Sequence, residues 1–316
     1  MSLFTSRRKP RLSLALDDIE LDRTLKALRE PPSSRAITDL QVARISDLVK
    51  QAGKDADRRC HRLAVLADTT AFTRLPASWI SRDPQSGDAL LLHVWAQLAQ
   101  GKGVGKLKNP QEIIEFCYRA AELNPRDLSP WLAILGVARL ERYARNYVLT
   151  VWREVSARDR WNREAHLHML DYLSPEECGS RMEMLEFIDT VHARTPANAA
   201  TAALELTSTV RQYHGIVRRG GVEALMARDF WEHGPALQVL NRAAELWPEQ
   251  GFLEHAAAMA DLNLLAYALV AAERHGEAAR IFVSLEGKVT SWPWGVDGDP
   301  VETFTRAQAR SLRRAK

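Results

Sequence analysis

The sequence predicts an all-α chain, a right-handed array of antiparallel helical hairpins. Three observations predict it. First, Arg119-Ala120-Ala121-Glu122-Leu123-Asn124-Pro125 recurs as Arg242-Ala243-Ala244-Glu245-Leu246-Trp247-Pro248, and each copy ends an amphipathic helix at a proline before another apolar helix. Second, Pro84, Pro125, Trp161, Pro196 and Pro248 each sit in a short polar break, at separations of 41, 36, 35 and 52 residues. Third, the apolar spacing runs near the helical period, and alternating β-branched runs are absent.

In chain order, residues 1–15 are expected to be a disordered basic tail. A helix is predicted over 17–29, stopped by Glu30-Pro31-Pro32. Ser33-Ser34 opens a second over 36–52, where Ile37, Leu40, Val42, Ile45 and Leu48 keep a rough helical period. A third spans 55–68, and breaks follow at Pro76 and Asp83-Pro84. Together 16–83 form an N-terminal helical region, and 84–289 carry the repeats. The first interval absorbs its excess length in a loop at 101–110, and the last in an extra turn or short helix around 218–233. Residues 290–316 are expected to be a loop around Trp292-Pro293-Trp294-Gly295, then a basic segment with a final helix from Val301.

The 316 residues are 46% hydrophobic, enough for a large core. No apolar run reaches the roughly 18–20 residues that span a bilayer, and no apolar stretch follows the basic start as in a secretory signal. Cys60, Cys117 and Cys178 are far apart and lack CxxC spacing, which points to reduced thiols in the cytoplasm. The net charge of +3 belongs to the ends: nine cations in 1–15 and 306–316 face no acid there, and the body holds 34 basic against 40 acidic residues. Such an acidic body argues against nucleic acid as the partner, leaving the basic tails as its only route.

At the repeated phrase and its neighbours the chain resembles tetratricopeptide repeats. Ala120 and Pro125 match the second small residue and the closing proline of the second helix, with Cys117 in place of the aromatic. Ala236, Leu240, Ala243 and Pro248 match more fully. Gly276 to Phe282 resembles an inter-helix turn with a second helix, and Leu135-Gly136 a first helix. Val148 and Val155 stand where alanines are expected, so the array is degenerate. A narrower likeness, Arg163-Glu164-Ala165-His166 through Tyr172-Leu173-Ser174-Pro175 to Phe187, resembles uncharacterised actinobacterial helical proteins, which implies fold and bacterial origin but no activity. In the resembled repeats the first helices line a concave groove. That implies Arg139, Arg142 and Arg211 as a clamp for an acidic peptide or terminal carboxylate, against a solvated face balanced by Glu141, Glu154 and Asp159. Trp292 and Trp294 either anchor a partner or pin their loop to the last repeat.

Other motifs carry less chemistry. Gly101-Lys102-Gly103-Val104-Gly105-Lys106-Leu107 has Gln100 and Leu107 where a phosphate-binding loop needs Gly and Ser or Thr. His166 and His168, two apart on a helix, point to different faces and make no zinc pair. Cys117 falls on an apolar stripe, and Cys178 precedes a helix start that could favour a thiolate. The expectation is a non-enzymatic adaptor or scaffold for a protein or peptide, with no cofactor or metal. The alternatives are a small-molecule binder or enzyme with a pocket in the array, then nucleic-acid binding through the tails.

Overall fold

The computed structural model describes residues 9–30, 34–221, 229–296 and 298–315. Fifteen α-helices lie among the described residues beside a single pair of two-residue strands, so the chain is all-α. It divides into two compact units, residues 18–194 and residues 1–17 with 195–316. The division falls after Arg194, whereas the sequence places its boundary at residue 84. No helix among the described residues is long and apolar enough to cross a membrane.

The unit of residues 18–194 contains α1 (Ile19–Ala27), α2 (Arg35–Gln51), α3 (Ala56–Thr70), α4 (Leu75–Arg82), α5 (Gly87–Val104), α6 (Pro110–Leu123), α7 (Ser129–Leu140), α8 (Arg145–Arg158), α9 (Arg163–Tyr172) and α10 (Arg181–His192). Local chemistry sets these boundaries. Asp18, Ser34, Asp55, Ser86, Asn162 and Ser180 each accept the backbone N–H three residues on, satisfying an orphan donor at a helix start. Pro76, Pro110 and Pro130 sit in the first turns of α4, α6 and α7, where a missing N–H costs nothing. Pro76 therefore opens a helix within the expected break. The loop expected at 101–110 starts later, because α5 continues to Val104 and Gly105 at φ 83° closes it by donating its N–H to the Gly101 carbonyl. The glycines of 101–105 thus lie at a helix C-terminus, where the backbone potential repels phosphate.

Helix α3 packs on α5, α5 on α6 and α7, and α7 on α8 and α9. Their core includes Val94, Ile113, Cys117, Leu132, Ile134, Val137 and Val155. Gly136 lets α7 run close to both flanking helices: a Cβ there would stand 3.4 Å from Leu98 on α5 and 3.6 Å from His168 on α9.

The second unit contains α11 (Ala203–Arg219), α12 (Gly234–Leu246), α13 (Ala258–Ala271), α14 (His275–Ser284) and α15 (Pro300–Arg314). Its strands are β1 (Arg11–Leu12) and β2 (Lys288–Val289), paired in parallel. The expected disordered tail is corrected at this point. The Arg11 and Ser13 amides donate to the Gly287 and Val289 carbonyls at 2.9 Å, and Ala15 and Leu16 are buried. Backbone pairing needs no side-chain period, so two residues leave no signal in the sequence. Residues 1–8 of that tail lie outside the described residues. The final basic helix forms as α15, buried through Phe304 and Ser311. Of the extra turn expected around 218–233, residues 222–228 lie outside the described residues, and Asp229–Trp231 form a single tight turn around the buried Trp231.

The repeated phrase marks the same device in both units. It ends α6 and α12, with Ala120 and Ala243 buried at equivalent positions, and the buried helices α7 and α13 follow. Both of those helices end alike. Tyr143 donates to the Ala138 carbonyl and Arg142 to Arg139; Arg274 donates to Leu269 and Glu273 to Val270. These pairs require a left-handed residue, and Arg142 (φ 53°) and Glu273 (φ 57°) supply it without being glycine. Arg142→Gly and Glu273→Gly are each expected to raise stability by about 0.5–1 kcal/mol, read as a higher urea midpoint at unchanged slope.

Candidate functional site

One cleft in the unit of residues 18–194 gathers side chains from the segment after α1, the start of α2, the turn before α4 and α4 itself. The turn between α3 and α4 starts from two buried anchors, Ala71 and Leu75, so Phe72, Thr73 and Arg74 project between them. The Thr73 hydroxyl donates to the Thr70 carbonyl at 2.9 Å and accepts the Leu75 N–H at 3.2 Å, holding that turn. Phe72 is 86% exposed. On α4, Trp79 is buried, while Ser78, Ser81 and Arg82, with Arg74 just before the helix, line the cleft. On α2, Val42, Ile45, Leu48 and Val49 go into the core, and the first turns present Arg35, Thr38 and Asp39. Arg82 Nη1 meets Asp39 Oδ1 at 2.9 Å and ties α4 to α2.

Between these elements lies a cleft of about 970 Å³, lined at its other edge by Leu28 and Arg29. Four arginines line it, Arg29, Arg35, Arg74 and Arg82, against one acid, Asp39. Asp39 is taken by Arg82; among the described residues, Arg29, Arg35 and Arg74 have no acidic partner. The first turn of α2 carries no acid either, so the positive end of that helix is uncompensated. The cleft presents guanidinium forks and hydroxyl donors to solvent, with one aromatic ring at the rim. Guanidinium groups outnumber carboxylates in its lining, so its net charge is positive.

The sequence pointed elsewhere. Arg139 is held within the unit of residues 18–194: Nε and Nη2 donate to the two Glu177 oxygens at 3.0 and 2.5 Å, Nη2 meets Asp171 at 2.7 Å, and Nη1 donates to His168 Nδ1 at 2.9 Å. Burial opposes its charge, but the Glu177 and Asp171 contacts outweigh that and raise its pKa. Because arginine only donates, His168 Nδ1 accepts and Nε2 carries the proton. Burial, then the charges of Arg139 and Lys102, push His168 well below its ordinary value, so it is neutral. Arg139 therefore ties α7 to α9 and is no free clamp. Arg142 is exposed at its helix end.

Arg211, Trp292 and Trp294 lie in the other unit. The Arg211 guanidinium stands 6.0 Å from the Trp292 ring, and half-buried Trp292 meets His214 edge-on at 6.4 Å. Trp294 is 1% exposed and anchors no partner; it pins its loop. The basic stretch at 139–145 looked like a groove because its acids, Asp171 and Glu177, are distant in sequence. The exposed arginines 29, 35 and 74 are scattered singly, and no local pattern announces them.

The remaining candidates are inert. His166 packs with Trp152, Trp161 and Phe187, its Nδ1 at 2.8 Å from the Asn162 carbonyl. Burial pushes the Cys60 thiol up to about 12 and Cys117 higher still. Cys178 is exposed, yet burial of its thiol and the nearby Glu177 outweigh Arg142 and Arg139 and raise its pKa, so the helix start activates no thiolate.

The chain is thus an all-α protein with a cationic cleft in the unit of residues 18–194. No protein-family model, curated protein or solved structure matches the chain.

Proposed function

We propose that this protein is a non-enzymatic, cytoplasmic helical-repeat adaptor that binds an acidic segment of a partner protein in the arginine-lined cleft. The observation that carries the reading is the set of three guanidinium groups, Arg29, Arg35 and Arg74, left without acids in one cleft with an exposed phenylalanine. An exposed arginine costs little to keep solvated, but three converging on one space favour a ligand that brings several negative charges. Arginine and an aromatic ring are also the side chains that dominate protein interfaces. The packing of α3, α5, α7 and α9 in succession, with α6 and α8 between, supports a tetratricopeptide-like α-solenoid in this part of the chain. The three unpaired thiols fit a reducing compartment.

The test is fluorescence anisotropy of the full chain with a labelled peptide of alternating glutamate and leucine. The triple variant Arg29→Glu/Arg35→Glu/Arg74→Glu is expected to bind at least about tenfold more weakly. Its salt dependence should flatten and its melting curve stay unchanged. Arg142→Glu, equally exposed, should bind as wild type. Equal affinity of the triple variant and wild type would sink the reading.

A further inference from the structure

The charge balance of the cleft says more about its occupant. Resting on the acidic-segment reading above, we infer that the bound segment carries a phosphate monoester, a phosphoserine or phosphothreonine, seated between Arg29, Arg35 and Arg74. Four guanidinium groups face one carboxylate in the cleft, and that carboxylate is committed to Arg82. Balancing the remainder with carboxylates takes three acidic side chains converging in about 970 Å³, each bringing its own repulsion from the others. A single phosphate brings about −1.5 to −2 charges and three strong acceptor oxygens on one atom. Each arginine can meet it with a bidentate fork, a geometry that lysines would not supply.

The neutral lining has the same character. Of its hydroxyl side chains, Thr38 and Thr73 already donate to the Ser34 and Thr70 carbonyls at 3.0 and 2.9 Å, and Ser34, Ser78 and Ser81 remain. The Ser34 oxygen already accepts the Ile37 N–H, which leaves its O–H to donate outward. The three unpaired arginines come from different segments: Arg29 follows α1, Arg35 opens α2 and Arg74 precedes α4. All three line the same cleft, where one compact dianion can be shared among them. Phe72, 86% exposed at the rim, gives a peptide neighbour of the phosphate an apolar contact that inorganic phosphate lacks.

The experiment is isothermal titration of the full chain with one leucine- and aspartate-containing peptide in three forms, its central residue serine, glutamate or phosphoserine. The phosphoserine form is expected to bind at least about tenfold more tightly than the glutamate form. Arg29→Glu/Arg35→Glu/Arg74→Glu should remove that preference without changing the melting curve, and inorganic phosphate should compete only weakly. Equal binding of the phosphoserine and glutamate forms would overturn the phosphate assignment and leave the acidic-segment reading standing. Absence of binding by all three forms, or binding that survives in the triple variant, would overturn both. Arginine-dependent sedimentation with phosphatidylinositol-phosphate vesicles, without peptide binding, would assign the cleft to a membrane and overturn the peptide as occupant.

Discussion

Trp294→Ala is expected to destabilise the unit of residues 195–316 by about 3–5 kcal/mol, the range for truncating a buried large aromatic. Trp294 stands with Phe282 and Phe304 at the centre of that unit, all at most 1% exposed. Its ring meets Tyr267 and Phe304 edge-on, both at 5.2 Å, and tilts against Phe282 at 5.9 Å. Nε1 donates to Asn263 Oδ1 at 2.9 Å. Asn263 is wholly buried, and its amide donates to the Met259 and Lys288 carbonyls, so one side chain joins α13, β2 and the Trp294 loop. Alanine would open a cavity and leave Asn263 Oδ1 with only the Thr290 N–H, at 3.4 Å. Trp294→Phe keeps most of the ring and loses the donor, for about 1–2 kcal/mol. Urea unfolding reads both values, and hydrogen exchange over 258–289 should accelerate in the alanine variant. A loss below about 1 kcal/mol for alanine would contradict this account of the core.

The second large effect is Asp18→Ala, expected to cost about 3–5 kcal/mol because it strands a buried cation. Asp18 and Arg62 are 5% and 4% exposed. Arg62 Nε donates to Asp18 Oδ2 at 2.7 Å and Nη2 to Oδ1 at 3.1 Å, while Nη1 donates to the Leu48 carbonyl at 2.6 Å. The same carboxylate caps α1 by accepting the Leu21 N–H at 3.1 Å. The double variant Asp18→Asn/Arg62→Met keeps a cap and buries no charge, so it should recover much of the loss. Burial by itself would raise the Asp18 pKa; the Arg62 hydrogen bonds, the Leu21 N–H and the nearby cations outweigh it and hold it below 3.8. The contribution is therefore fully present above the usual carboxylate range and is lost as pH falls through the lowered value. Asp18→Asn should flatten the acid limb of stability against pH.

Several elements were legible in the sequence because their signals are local. The prolines after Leu123 and Leu246 stop α6 and α12, and the apolar run over 132–140 is α7. The helix expected from Val301 is α15. The tail at 9–15 was misjudged because charge without packing partners resembles disorder, while the strand Arg11–Leu12 finds its partner at Lys288–Val289. Arg139 departs from its expected role for the same physical reason. Arg139 looked available until Asp171 and Glu177 arrived beside it from beyond α8. Arg29, Arg35 and Arg74 carry no signal along the chain, and the fold brings them to one cleft.

Along the chain alone one can read that this protein is helical, where several of its helices start or stop, and that one helical phrase is used twice. Hydrophobic period, caps and prolines act within a few residues, so they can be read along the chain. Which cations are neutralised, which tryptophan is buried and where positive charge is left over follow from the folded arrangement. Those properties depend on separations in space, and electrostatic and packing energies do not follow distance along the backbone.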